Sequence, residues 1–142
     1  MKVLIAVDGS KQSLDAVQCF IDHADWYRQK PEVDLLTVHL PLPRLRGMGA
    51  AVGKGQIQKY YQEEGEAQLA AAKRKLDAAA IKYEATVLVG PVAETIVKRA
   101  KDKRADIIYI GTRGMSDLGK ALLGSTATKV LHISDTPVLL VR

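Results

Sequence analysis

Four short stretches of the chain are apolar almost without interruption: Val3–Val7, Val33–Val38, Ile107–Ile110 and Val138–Val141. A fifth, Thr86–Val89, is shorter. A strand with one wet face alternates apolar and polar residues, whereas continuous runs rich in β-branched residues suit parallel strands covered on both faces. Only the second run is broken, by Asp34 and Thr37. Between the runs the apolar positions shift to helical spacing. Leu14, Val17, Ile21 and Ala24 share one face of a first helix that Ser10 is placed to cap. The span Gln56 to Ile81, dominated by Ala, Glu, Lys and Gln, predicts the longest helix. Val92, Ile96, Val97 and Ala100 follow Pro91, which suits a helix's first turn. Leu123, Ala127, Val130 and Leu131 mark a last helix, and the Pro- and Gly-rich stretch Pro41–Gly55 reads as a loop.

Strands and helices therefore alternate from end to end. That pattern predicts an α/β fold: a doubly wound, five-stranded parallel sheet with helices on both faces. Right-handed crossovers then favour the strand order 3-2-1-4-5. No internal repeat divides the chain, so residues 1–142 are expected to form one domain. The switch point of such a sheet lies between its first and fourth strands. Ligands bind there, just beyond the strands' C-terminal ends.

Hydrophobic residues make up 47% of the chain and charged residues 26%, the balance of an ordinary soluble domain. Aromatics supply only 5%, so the core must be built from Val, Leu, Ile and Ala. No run approaches the ~20 apolar residues of a membrane helix. The opening run meets Asp8 too soon for a signal peptide. A cytoplasmic protein without a membrane partner is expected. The 21 basic residues exceed the 16 acidic ones, and the net charge of +5 invites an anionic partner. The basic residues are scattered, with no aromatic stripe among them, which argues for a small phosphate-bearing ligand over nucleic acid. Cys19 is the only cysteine and falls on the apolar side of the first helix, so it reads as an inert core residue. His23, His39 and His132 share no ligand spacing, and no metal site made by protein groups alone is expected.

Candidate chemistry concentrates in the segment Gly111–Thr126, which starts as the fourth strand ends and closes where the last helix begins. Gly111, Gly114 and Gly124 let backbone N–H groups approach phosphate oxygens with no Cβ in the way. Gly124 and Ser125 at a helix start add free N–H donors, a hydroxyl and the positive end of the helix dipole. Arg113 could add a bidentate phosphate contact. The bland alternative is that these glycines only turn the chain and Ser125 only caps a helix. Two better-known phosphate motifs nearly match and fail. Gly114–Ala121 copies the P-loop until its last position, where Ala121 replaces the Ser or Thr that holds magnesium. Gly47–Gly53 is one residue too long for G-x-G-x-x-G and follows the wrong strand. Asp8, ending the first strand, could accept a ribose hydroxyl or stabilise the Asp8-Gly9-Ser10 turn, and the two roles are compatible. The backbone near Val38 would lie beside it.

The spacing Gly111-x-x-Gly114, nine residues, then Gly124-Ser125 resembles the ATP-binding motif of the universal stress protein family. So do the opening Val3–Ser10, the junction Gly90–Val97, the stretch Ala105–Gly114 and the ending Thr136–Val141, in the same order. The resemblance covers essentially the whole chain. It implies a Rossmann-like nucleotide-binding fold, with ATP as the ligand and Mg2+ or Mn2+ held only through its phosphates. By the same resemblance Asp8 contacts the ribose, the Val38 backbone the adenine and Ile110 the nucleoside. Gly111, Gly114, Gly124, Ser125 and Thr126 surround the phosphates. It also implies a homodimer, often through the last strand, and Val138–Val141 is an apolar edge that needs covering.

Two functional classes follow: a nucleotide-binding module for stress response or signalling, or a slow ATPase or phosphotransferase at the same site. Fast hydrolysis needs a group that orients water and charges that stabilise the transition state. Arg113, Ser116, Asp117 and Lys120 lie near the motif, but no carboxylate pair and no magnesium-binding Ser or Thr accompanies them. Binding is the favoured class, and no catalytic residue is assigned. A phosphoacceptor receiver domain is excluded because the third strand ends Val87-Leu88-Val89-Gly90, without an acid.

Overall fold

The computed structural model describes residues 1–42, 53–112 and 123–142. Its sheet comprises β1 (Lys2–Ala6), β2 (Glu32–His39), β3 (Tyr83–Val89), β4 (Ile107–Gly111) and β5 (Val138–Val141), all paired in parallel. Their order is β3-β2-β1-β4-β5, as the alternating pattern predicts. The helices are α1 (Lys11–Asp22), α2 (Lys54–Ala78), α3 (Val92–Lys103) and α4 (Ser125–Ile133). α2 begins two residues earlier than predicted and ends three earlier, so the loop after β2 closes by Gly53.

Side-chain alternation along each strand fills two cores. Val3, Ile5, Val7, Val33, Leu35 and Tyr109 point to one face and meet Val17 and Phe20 of α1 and Leu69, Ala72 and Leu76 of α2. Leu4, Ala6, Leu36, Ile108 and Ile110 point to the other and meet α3 and α4 through Ala93, Ile96, Ala100, Ala127 and Val130. Burial on both faces explains why these strands read as unbroken apolar runs.

The two polar residues of β2 have specific partners. Thr37 is buried and donates to Gln68 Oε1 of α2 at 2.7 Å. Asp34 is buried on the opposite face, where Arg99 of α3 grips it with two bonds of 2.7 and 3.1 Å. That hydrogen bonding, resisted by desolvation, holds the Arg99 guanidinium above its ordinary value. Arg99 also donates to Thr86 of β3 and Glu84 receives Lys103, so α3 is tied to the sheet's β3 edge.

Some helix positions shift from the predicted faces. Ala24 belongs to a short 3-10 turn, Ala24–Trp26, beyond the end of α1. The inner face of α1 is Ser13, Ala16, Val17 and Phe20, with Leu14 and Ile21 half-buried at its margin. Cys19 likewise packs at that margin, and burial pushes its thiol pKa up. Leu131 is 42% exposed, so α4 has a narrower apolar stripe than its sequence suggests.

α2 and α3 end alike. Ala80 (φ 53°) and Arg104 (φ 54°) sit in the left-handed region. The following amides reach back to Leu76 O and Ala100 O to close each terminus. Glycine is the unstrained residue at such a position. Ala80→Gly and Arg104→Gly are each expected to stabilise the protein by roughly 0.5–1 kcal/mol, read as a higher urea midpoint with an unchanged slope.

Candidate functional site

β1 ends at Ala6 and is followed by α1 on one face of the sheet, whereas β4 ends at Gly111 and α4 packs on the other. The crevice so opened is a pocket on the α3–α4 side of the sheet. Ala6, Leu36, Val38, Val92, Ile96 and Ile110 form its apolar part, and Asp8, Ser13, Thr112, Gly124, Ser125 and Thr126 its polar end. Seven of the eight sites named from sequence therefore meet at one place: Asp8, Val38, Ile110, Gly111, Gly124, Ser125 and Thr126. The eighth, Gly114, lies outside the described residues, as do Arg113, Ser116, Asp117, Lys120 and most of the Pro41–Gly55 stretch.

Strand register gives Val38 a particular property. In parallel pairing, successive residues direct their N–H and C=O groups to opposite neighbours. Glu32 N donates to Met1 O and Val7 N to Leu36 O, so even-numbered residues of β2 address β1. His39 O accepts from Gly90 N, so odd-numbered ones address β3. Val38 therefore faces β1, yet pairing with β1 stops at Ala6↔Leu36. Its N–H and C=O open together into the crevice, with no backbone partner among the described residues.

The polar end is built on the start of α4. Gly124 is the N-cap, and it has no side chain to satisfy the helix's first N–H groups. Those of Ser125, Thr126 and Ala127 have no backbone partner among the described residues. All three residues line the pocket, so the positive end of the helix dipole points into it. The start of α4 is fixed by Thr112, whose C=O accepts from Gly124 N and whose N–H donates to Val141 O at 2.8 Å.

Asp8 is held in the turn that its sequence suggests. Its Oδ1 accepts from Ser10 N at 2.9 Å, and Ser10 Oγ in turn accepts from Ser13 N at 3.2 Å as the N-cap of α1. Gly111 has a packing reason to be glycine besides any role towards a ligand. A Cβ there would lie 2.6 Å from Gln12 O, 2.7 Å from Gln12 C and 2.9 Å from Ser13 N, so α1 rests directly on the end of β4.

Ser13, Thr112, Val92 and Ile96 are pocket residues that sequence reasoning did not single out. Val92 and Ile96 read as ordinary core positions. Ser13 belongs to no motif and Thr112 fills an unspecified position of Gly111-x-x-Gly114, so both are assigned only once β1, β4 and α1 are placed together. Among the described residues no group of three or more His, Cys, Asp or Glu could hold a metal ion, and no helix is long and apolar enough to cross a membrane.

Sheet order and helix placement define a Rossmann-like α/β protein. The model of the universal stress protein family matches residues 1–142. Universal stress protein MJ0531 of Methanocaldococcus jannaschii is 30% identical over 142 residues, covering 99% of this chain and 81% of that protein. The solved structure of MJ0577, from the same organism, superposes with a TM-score of 0.82 at 28% identity, covering 99% of this chain and 94% of that one. A universal stress protein solved in complex with cAMP superposes with a TM-score of 0.70 at 28% identity, covering 100% of this chain and 97% of that one. The chain belongs to the universal stress protein family.

Proposed function

We propose that this chain binds ATP at the switch-point pocket and acts as a nucleotide-dependent module in stress response or signalling. The observation that carries the reading is that the N–H and C=O of Val38 have no backbone partner among the described residues and face an apolar slot whose other end is the start of α4, where the first N–H groups likewise have none. Adenine presents a ring acceptor beside an exocyclic amine donor on its Watson–Crick edge, the complement of a strand's N–H and C=O. Guanine presents the reverse order, so with the sugar and phosphates fixed it sets donor against donor. The aliphatic walls accept the base, Asp8 suits a ribose hydroxyl, and the N–H groups of Ser125 and Thr126 suit phosphate oxygens. That a universal stress protein of the same fold has been solved in complex with cAMP supports an adenine nucleotide as the ligand class. A divalent cation, in this reading, arrives with the phosphates it neutralises. The half-buried β5 edge supports the further expectation of a homodimer formed through it.

Titration calorimetry of nucleotide-free protein tests the reading. ATP with magnesium is expected to bind at least tenfold more tightly than GTP. Ser125→Glu places a carboxylate at the start of α4, which suits the helix itself but opposes phosphate. It should weaken ATP by about tenfold, or ~1.4 kcal/mol, without lowering the melting temperature. Equal affinity for ATP and GTP, or no binding of either, would overturn it.

A further inference from the structure

Ser13 is buried at 4% exposure on the first turn of α1, yet it lines the switch-point pocket. Its hydroxyl makes two bonds with the turn before it. It donates to Ser10 O at 2.9 Å and accepts from Asp8 N at 3.3 Å. Ser10 N closes the ring on Asp8 Oδ1. The backbone of Asp8 and one of its carboxylate oxygens are thus tied to one three-residue network, with Ser13 Oγ at its centre. The backbone nitrogen of Ser13 lies close over Gly111, where a Cβ would come within 2.9 Å of it.

Resting on the nucleotide reading above, we infer that Ser13 is the positioning residue for Asp8 and thereby sets how strongly the site selects a ribose bearing hydroxyls. The hydroxyl's one hydrogen is committed to Ser10 O, and it already accepts from Asp8 N. With its hydrogen spent inside the turn, it acts through Asp8. Removing it takes the acceptor from the Asp8 amide and one of two donors from Ser10 O, which keeps Leu14 N at 3.1 Å, and so loosens the turn from which the carboxylate projects. Hydrogen bonds that select a ligand hydroxyl depend on such fixed geometry. Among the described residues the ring makes no hydrogen bond to Val38 or to the start of α4, so contacts to base and phosphate should survive its loss.

The discriminating measurement compares ATP with 2′,3′-dideoxy-ATP in wild type and in Ser13→Ala, with melting temperature recorded beside each titration. Wild type is expected to bind ATP at least tenfold more tightly than the dideoxy analogue. Ser13→Ala should lose about tenfold towards ATP while its affinity for the analogue changes less than twofold, collapsing the preference. Should Ser13→Ala not fold, Ser13→Cys keeps the side chain's size with only a weak hydrogen-bonding group and should collapse the preference likewise. Equal weakening towards both ligands would reduce Ser13 to a structural residue, and an undiminished preference would overturn its role outright. A wild type that binds both ligands alike removes the ribose contact and this inference with it. A wild type that binds neither overturns the nucleotide reading as a whole.

Discussion

Arg99→Met is expected to destabilise the protein by about 3 kcal/mol, at the lower end of what breaking a buried ion pair costs. The side chains of Arg99 and Asp34 are 17% and 11% exposed, so solvent screens them little. Removing the guanidinium strands a carboxylate beneath α3, where desolvation opposes its charge and Thr86 loses its donor as well. Glu84 is too exposed for its share of the network to add much. In a chain of this size ~3 kcal/mol corresponds to a melting temperature lower by roughly 10 °C. The double variant Asp34→Leu, Arg99→Met should recover most of the loss, because a well-packed apolar pair replaces a buried ion pair at little cost. Urea unfolding of the set decides the matter. A single-variant loss below ~1 kcal/mol would mean that water reaches Asp34 after all.

Gly111→Ala is the second large effect, expected to cost about 2–3 kcal/mol as an overpacked contact. Its Cβ would meet backbone atoms of Gln12 and Ser13 rather than the free end of a side chain, so no rotamer change relieves it. Either α1's first turn lifts or β4's end retreats. Both movements disturb the pocket, since Asp8 is tied to that turn and Thr112 follows Gly111 into the start of α4. ATP affinity should therefore fall more than tenfold at a temperature where the variant remains folded, as titration against wild type would read. An alanine variant of wild-type stability and affinity would show that α1 moves freely on β4.

The sheet was legible because its central strands are covered on both faces and so spell continuous apolar runs. β3 was legible only in its second half. It is an edge strand, and its start, Tyr83-Glu84-Ala85, alternates because Glu84 reaches out to Lys103 and Arg99. Asp34 and Thr37 looked like flaws in β2 and are in fact partners for α3 and α2, which a linear pattern cannot express. Leu131 misled for the opposite reason: it has the helical spacing of a core residue on a helix covered along only a narrow stripe. In the site, Asp8, Val38 and Gly111 were legible because doubly wound topology gathers strand ends at one crevice. Ser13 was not, since a serine one turn into a helix looks the same whether it faces solvent or closes a turn. The open backbone of Val38 depends on where pairing between β1 and β2 stops, a matter of register rather than of residue type.

In the proposed complex an adenine nucleotide lies between Val38 and the start of α4. Amide chemical-shift mapping during an ATP titration tests it most directly. The N–H signals of Val38, Ser125 and Thr126 are expected to move together, saturate at one affinity and gain protection from solvent exchange. Shifts gathered instead at the far ends of the strands, around Lys30, Lys82 and Tyr83, or no shifts at all, would contradict it.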